Sequence, residues 1–189
     1  MIRYFKKAIP LSIIATGIMA SASFADTFTL RVGSGHPSKP TAYVTNMEKV
    51  LVPNIKKRVA AETNHKVRII EAYAGKIAKV HETLEAVEKG LLDIGSYCVC
   101  FETAKLLPWN FDYFVPFTTT NLETNWAVKH KILKQFPYLT KMLEDKYNQK
   151  FIAMQGFDDY GLGTVKQWQK ASELKGVKVI AAGPNLPWV

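Results

Sequence analysis

The stretch Glu82-Thr83-Leu84-Glu85-Ala86-Val87-Glu88-Lys89-Gly90-Leu91-Leu92-Asp93-Ile94 decides the fold. Residues 81–89 have helical spacing, with Leu84 and Val87 on one face, and Gly90 is the residue type that ends helices in left-handed backbone. Residues 91–99 then form a strongly apolar run that reads as a strand. Working outward, residues 66–73 read as an earlier strand closed by Gly75. Residues 41–63 carry a helical pattern, which Pro53 is expected to divide by starting a second helix where a missing N–H costs little. Before them, Thr27-Phe28-Thr29-Leu30-Arg31-Val32 alternates and runs into Gly33-Ser34-Gly35, a strand entering a loop. The order β-α-β-α-β predicts an α/β sheet with helices on its faces.

Toward the other end, residues 107–117 are dense in aromatics (Trp109, Phe111, Tyr113, Phe114, Phe117), punctuated by Pro108 and Pro116. Helices are expected over 122–136 and 138–146, and strands over 150–155 and 177–182. The segment 156–165 between those strands is polar and aromatic, and Gly183-Pro184-Asn185 is loop chemistry.

Residues 1–25 fix the compartment. Arg3, Lys6 and Lys7 precede an apolar run over 8–19, and Ala20-Ser21-Ala22-Ser23-Phe24-Ala25 closes in a small-x-small pattern before Asp26. That is the layout of a secretory signal peptide cleaved after Ala25. The apolar run is too short to cross a hydrocarbon core of ~30 Å, and Pro10 interrupts it. Of the 189 residues, 48% are hydrophobic, enough for a packed core. The net charge of +9 is scattered, and the densest run, Lys56-Lys57-Arg58, is balanced locally by Glu48, Glu62 and Glu71. A nucleic-acid partner is therefore not expected. Two cysteines, Cys98 and Cys100, flank one residue. On a strand their side chains would share a face, and the expectation is two buried thiols, with a bridge as the alternative.

A catalytic constellation is not legible. There is no Gly-x-Ser-x-Gly elbow, no phosphate-binding loop, no His-Glu-x-x-His and no Gly-x-Gly-x-x-Gly. His65 and His130 read as surface residues, and His81 with Glu82 and Glu85 reads as a solvated face rather than a metal site. His36 lies at a strand exit, where a capping role and a ligand contact both fit. Asp158-Asp159, between Phe157 and Tyr160, fits a turn and also a binding role. Cys98 as a nucleophile lacks an identifiable base. No cofactor and no metal are expected. An exported α/β chain with aromatic loops at strand ends points to a small-molecule receptor, with ligand beyond the carboxyl ends of the strands.

In order, these features resemble the N-terminal portion of a substrate-binding protein of a tripartite ATP-independent periplasmic (TRAP) transporter, the DctP-like family. The likeness rests on the leader, the first strand with His36-Pro37 after it, and the 82–94 stretch, which is similar to a family signature of helix, Gly, hydrophobic, Asp and strand. Val115-Pro116-Phe117 resembles the family's Leu-Pro-Phe segment, and Glu173-Leu174-Lys175-Gly176-Val177-Lys178-Val179 resembles its Asp-Leu-Lys-Gly-Leu-Lys-Ile element. The resemblance implies a two-lobed periplasmic solute-binding fold, here truncated: residues 26–152 hold most of the first α/β lobe and 153–189 open the second. It implies a small organic acid as ligand, TRAP permease subunits as partners, a monomer at full length, and no enzymatic activity. Where most members carry arginines that clamp a carboxylate, this chain has Ile180 and Tyr160. An aromatic or otherwise less charged acid is therefore expected, with a compensating cation at Lys166 or beyond this sequence. The ligand-facing set is His36, Tyr97, Cys98, Phe157, Asp158, Tyr160, Asn185 and Trp188. The alternatives are the receptor of an ATP-driven importer and an exported enzyme using Cys98 or Asp158. Mature protein from a periplasmic extract is expected to begin at Asp26 by N-terminal sequencing; a membrane-bound product beginning at Met1 would overturn the leader.

Overall fold

Strand β1 (Thr27–Gly33) lies at the centre of a parallel three-stranded sheet, between β2 (Lys66–Ala72) and β3 (Ile94–Gly95). This computed structural model describes residues 25–115, 119–156, 161–181 and 185–186, so the leader lies outside the described residues except for Ala25. All seven residues of β1 pair with β2, from Thr27 opposite Lys66 to Gly33 opposite Ala72.

Side chains alternate across a strand, so Leu30 and Val32 face one side of the sheet and Gly33 the other. On the first side Val32, Met47 and Val52 form a buried cluster, flanked by Leu30, Ile69 and Ile94. Met47 and Val52 belong to a continuous helical stretch: α1 (Ala42–Asn46), one π turn at Met47–Leu51, and α2 (Val52–Glu62). Pro53 sits in the first turn of α2 without breaking the rod. It lacks the N–H that would bond four residues back and its ring crowds that carbonyl, so the preceding turn widens instead.

On the second side Ala72, Ala78, Ala86 and Leu92 pack together with Val87. They are covered by α3 (Thr83–Glu88), entered through a 3-10 turn at Val80–Glu82. Gly90 stops α3 at φ +68, and the N–H groups of Leu91 and Leu92 both return to the Ala86 carbonyl, at 2.7 and 3.0 Å. Gly95 lets the helix sit close, because a Cβ there would strike Val87. Helices thus cover both faces, as the alternating order predicts.

The expected strand over 91–99 shrinks to Ile94 and Gly95, which pair with Val32 and Gly33. Its entry is held by Asp93, whose amide donates to the Arg31 carbonyl at 2.8 Å while its carboxylate accepts the Arg31 amide at 2.7 Å. After the Ser96 amide reaches the Gly33 carbonyl at 3.0 Å, β1 has no further residue to pair. The chain leaves the sheet and turns into a 3-10 helix at Val99–Glu102, and its remaining apolar residues fill a second core.

That core joins Leu84 of α3 to Leu106, Trp109, Leu133, Leu139 and Leu143. Its walls are a 3-10 stretch at Leu107–Phe114, kinked at Asn110, and two helices, α4 (Leu122–Gln135) and α5 (Tyr138–Tyr147), where the sequence places them. Asn121 caps α4 by accepting the Thr124 amide at 2.8 Å, and Asn148 ends α5 in left-handed backbone at φ +49. The strands expected over 150–155 and 177–182 do not form within the described residues. Neither run has a ladder partner among the described residues, and Ile180 stands 91% exposed. Among the described residues no helix is long and apolar enough to cross a membrane.

A Cβ at Gly90 would meet nothing within 4 Å, so Gly90→Ala tests backbone strain alone. It is expected to lower the unfolding free energy by about 1–2 kcal/mol. An unchanged urea midpoint would show that α3 ends without need of left-handed backbone.

Candidate functional site

A cleft of ≈ 1530 Å³ runs along β3, lined by Leu92 and Asp93 before it as well as by Ser96 to Val99 after it, and no residue of β1 lines it. Residues 94–99 form one wall, with Tyr43, Asn46 and Met47 beside them. Trp109, Phe111 and Tyr113 of the aromatic 3-10 stretch and the Leu122, Trp126 and Leu133 face of α4 form another. Residues 148–156 close a third side, and a 2.7 Å hydrogen bond from Asn46 Nδ2 to Gln155 Oε1 ties that segment to the end of α1.

The structure distributes the expected ligand-facing residues unevenly. Phe157, Asp158, Tyr160 and Trp188 lie outside the described residues. Asn185 is half-buried and does not line the cleft. Lys166 is exposed and lines a shallow hollow within its own segment instead.

His36 stands one layer behind the cleft wall. Its Nδ1 lies 2.6 Å from the Tyr43 hydroxyl, and its ring packs against Phe101 with centroids 5.3 Å apart. Burial, and then the charge of His81, lowers its pKa, so the ring is held neutral. Burial likewise pushes the Tyr43 phenol up to about 12, against the pull of hydrogen bonds with the Cys98 backbone and Ser34. Of this pair it is Tyr43 that reaches the cleft.

Tyr97 lines the cleft, but its hydroxyl is committed. It donates to Gln149 Oε1 at 3.0 Å, and Gln149 Nε2 donates to the Leu84 carbonyl at 2.8 Å. Burial, chiefly, raises the Tyr97 phenol well above its ordinary value. This chain of bonds ties the edge of the cleft to the core and leaves the Tyr97 ring, not its oxygen, for contact with a ligand.

Cys98 and Cys100 are joined in a disulfide, which corrects the expectation of two thiols. The premise of a strand fails here. Two residues apart on a strand, Cα atoms stand ~6.8 Å apart. Because Cys98 instead caps a 3-10 turn, the separation is 5.2 Å, inside the range a bridge accepts. Cys98 lines the cleft, and as half of a disulfide it has no thiolate to act as nucleophile.

Sequence reasoning missed the charged pair in the wall. Lys129 Nζ lies 2.5 Å from Asp112 Oδ2, with the two side chains 13% and 27% exposed, and both line the cleft. A readable signal existed. Leu122, Trp126, Lys129 and Leu133 fall on one helical face, so Lys129 interrupts the apolar stripe of α4 rather than joining its solvated side. His130, read as a surface residue, packs on Trp126 with centroids 4.0 Å apart. Among the described residues no three His, Cys, Asp or Glu side chains gather as a metal site.

No protein-family model, curated protein or solved structure matches this chain.

Gln149 is buried and serves both Tyr97 and the Leu84 carbonyl. Gln149→Ala leaves the buried Leu84 carbonyl without this donor and is expected to cost about 1–3 kcal/mol in denaturant unfolding. Tyr97→Phe removes one bond only and is expected to cost less. Equal effects, or none from Gln149→Ala, would remove this chain of bonds as the support of the cleft.

Proposed function

We propose that residues 26–152 form the first lobe of an exported two-lobed receptor, with residues 153–189 beginning the second. The receptor captures a small organic acid in the cleft and delivers it to membrane permease subunits of the TRAP type, acting as a periplasmic monomer. The observation that carries this reading is the cleft itself: an open trough along the edge strand of the parallel sheet, walled by aromatic and aliphatic side chains, with one lysine–aspartate pair inside. Its ≈ 1530 Å³ exceeds the ~300–1,000 Å³ of a pocket closed around one small molecule. A trough of that size suits a binding surface that a second lobe covers by hinge closure. The ordered set of sequence features shared with the DctP-like family supports the same reading.

The walls favour an apolar or aromatic body on the acid. Phe111, Tyr113 and Trp126 supply rings, and an aromatic pair contributes ~0.5–1.5 kcal/mol beyond area burial. The test is thermal unfolding with phenylacetate or 3-phenylpropanoate against succinate, malate and fumarate, followed by recovery of each compound. A ligand at 100 times its Kd stabilises by about 2.7 kcal/mol, a readily measured shift. The aromatic monocarboxylates are expected to raise the melting temperature more and to be recovered unchanged. A larger shift from the dicarboxylates would reverse the ligand class, and chemical conversion would end the receptor reading.

A further inference from the structure

The geometry points to a ligand that carries an ammonium group beside its carboxylate on an apolar or aromatic body, a zwitterion whose two charges are taken by Lys129 and Asp112. This rests on the receptor reading and narrows its ligand class.

Lys129 projects from the same face of α4 as Leu122, Trp126 and Leu133, so its ammonium sits among apolar cleft walls. An ammonium has three donors and a carboxylate two acceptor oxygens, yet among the described residues each of these groups serves only the other. Both therefore keep unused capacity at the cleft surface.

Charge decides what uses it. Among the described residues the carboxylates lining the cleft are Asp93, Asp112 and Glu123, and the ammonium groups are Lys129 and Lys150. Asp93 is already held by Arg31, whose guanidinium donates at 3.1 and 3.3 Å. Among the described lining residues the remaining two anions and two cations cancel, so these walls offer a lone anion no net attraction. A simple acid that bonded Lys129 would displace Asp112 and leave a partly desolvated carboxylate without its cation, an unfavourable exchange. A dicarboxylate would add a second such conflict. A zwitterion avoids both: its carboxylate replaces Asp112 at Lys129, its ammonium replaces Lys129 at Asp112, and Trp126 and Tyr113 line the space for its body.

Calorimetric titration of the whole exported chain with three probes of one body tests this: L-phenylalanine, 3-phenylpropanoate without the ammonium, and phenethylamine without the carboxylate. L-phenylalanine is expected to bind about ten-fold or more tighter than either analogue. Asp112→Asn is expected to bring L-phenylalanine down to the level of 3-phenylpropanoate, and Lys129→Gln to weaken both acids while sparing phenethylamine. Asp112→Glu, which keeps the charge, is expected to retain the wild-type order of the probes and serves if the asparagine variant does not fold. If 3-phenylpropanoate equals or exceeds L-phenylalanine in the wild type, the zwitterion inference falls and the receptor of a simple acid stands. If both charge variants melt lower yet leave the order of probes unchanged, the pair is a structural tie and the inference falls. If none of the probes and none of the dicarboxylates bind the wild type, the receptor reading falls with it.

Discussion

Asp93 and Arg31 share four hydrogen bonds: one from the Asp93 amide to the Arg31 carbonyl, one from the Arg31 amide to the Asp93 carboxylate, and two from the guanidinium. Both side chains are partly open to water, at 42% and 31%, so the ion pair by itself contributes ~1 kcal/mol or less. Its importance is geometric. β3 pairs with β1 through only two residues, too few to fix a register by ladder bonds alone. Asp93 joins the Arg31 backbone just before that pairing and thereby sets which residues of the third strand meet Val32 and Gly33. Burial of the Asp93 carboxyl opposes ionisation, but the bonds from Arg31 outweigh it and hold the pKa below the usual carboxylate range.

The position of the cleft follows from that register. With Ile94 and Gly95 opposite the end of β1, the next residues have no strand to pair with and must leave the sheet at its carboxyl edge. Tyr97 and Val99 then pack against the cluster around Leu84, Trp109 and Leu143, while Cys98 and Ser96 line the cleft. Gln149 closes the arrangement by holding Tyr97 and the Leu84 carbonyl at once, and the disulfide fixes the turn at Cys98. The cleft wall and the core beneath it are one construction, which is why a residue read as a ligand contact proves to have a structural hydroxyl.

What could be read in the sequence follows the range of the physical signal. Helices report themselves locally. The 3.6-residue spacing, with Gly90 after α3, placed α3 and α4 within a residue or two. Residues 27–32 and 66–73 read correctly as strands, but an apolar run alone is less telling, because it records burial and not what buries it. Residues 91–99 are apolar since Leu92 packs beneath α3 and Val99 against the second core, and neither contact needs a ladder. The same ambiguity explains the strands expected over 150–155 and 177–182: nothing within those runs shows whether a neighbouring strand exists. The disulfide ranked second to two thiols for a related reason, since the 5.2 Å separation depends on a turn at Cys98 that follows from where β1 ends.

The candidate site was legible in a different proportion. Its aromatic walls follow from residues 107–114. Its charges do not, because attention falls naturally on histidines, cysteines and strand-end residues. Lys129 looks like one of many scattered cations when the chain is read by composition. Read by helical phase, it lies where Leu122, Trp126 and Leu133 lie, and a lysine there must either lose its charge or find a partner. Asp112 is that partner, delivered from an aromatic turn seventeen residues earlier in the chain. The general consequence is that a charged residue in phase with an apolar stripe marks a place where the fold has accepted a desolvation cost, and the chemistry of its partner indicates what else that place can hold.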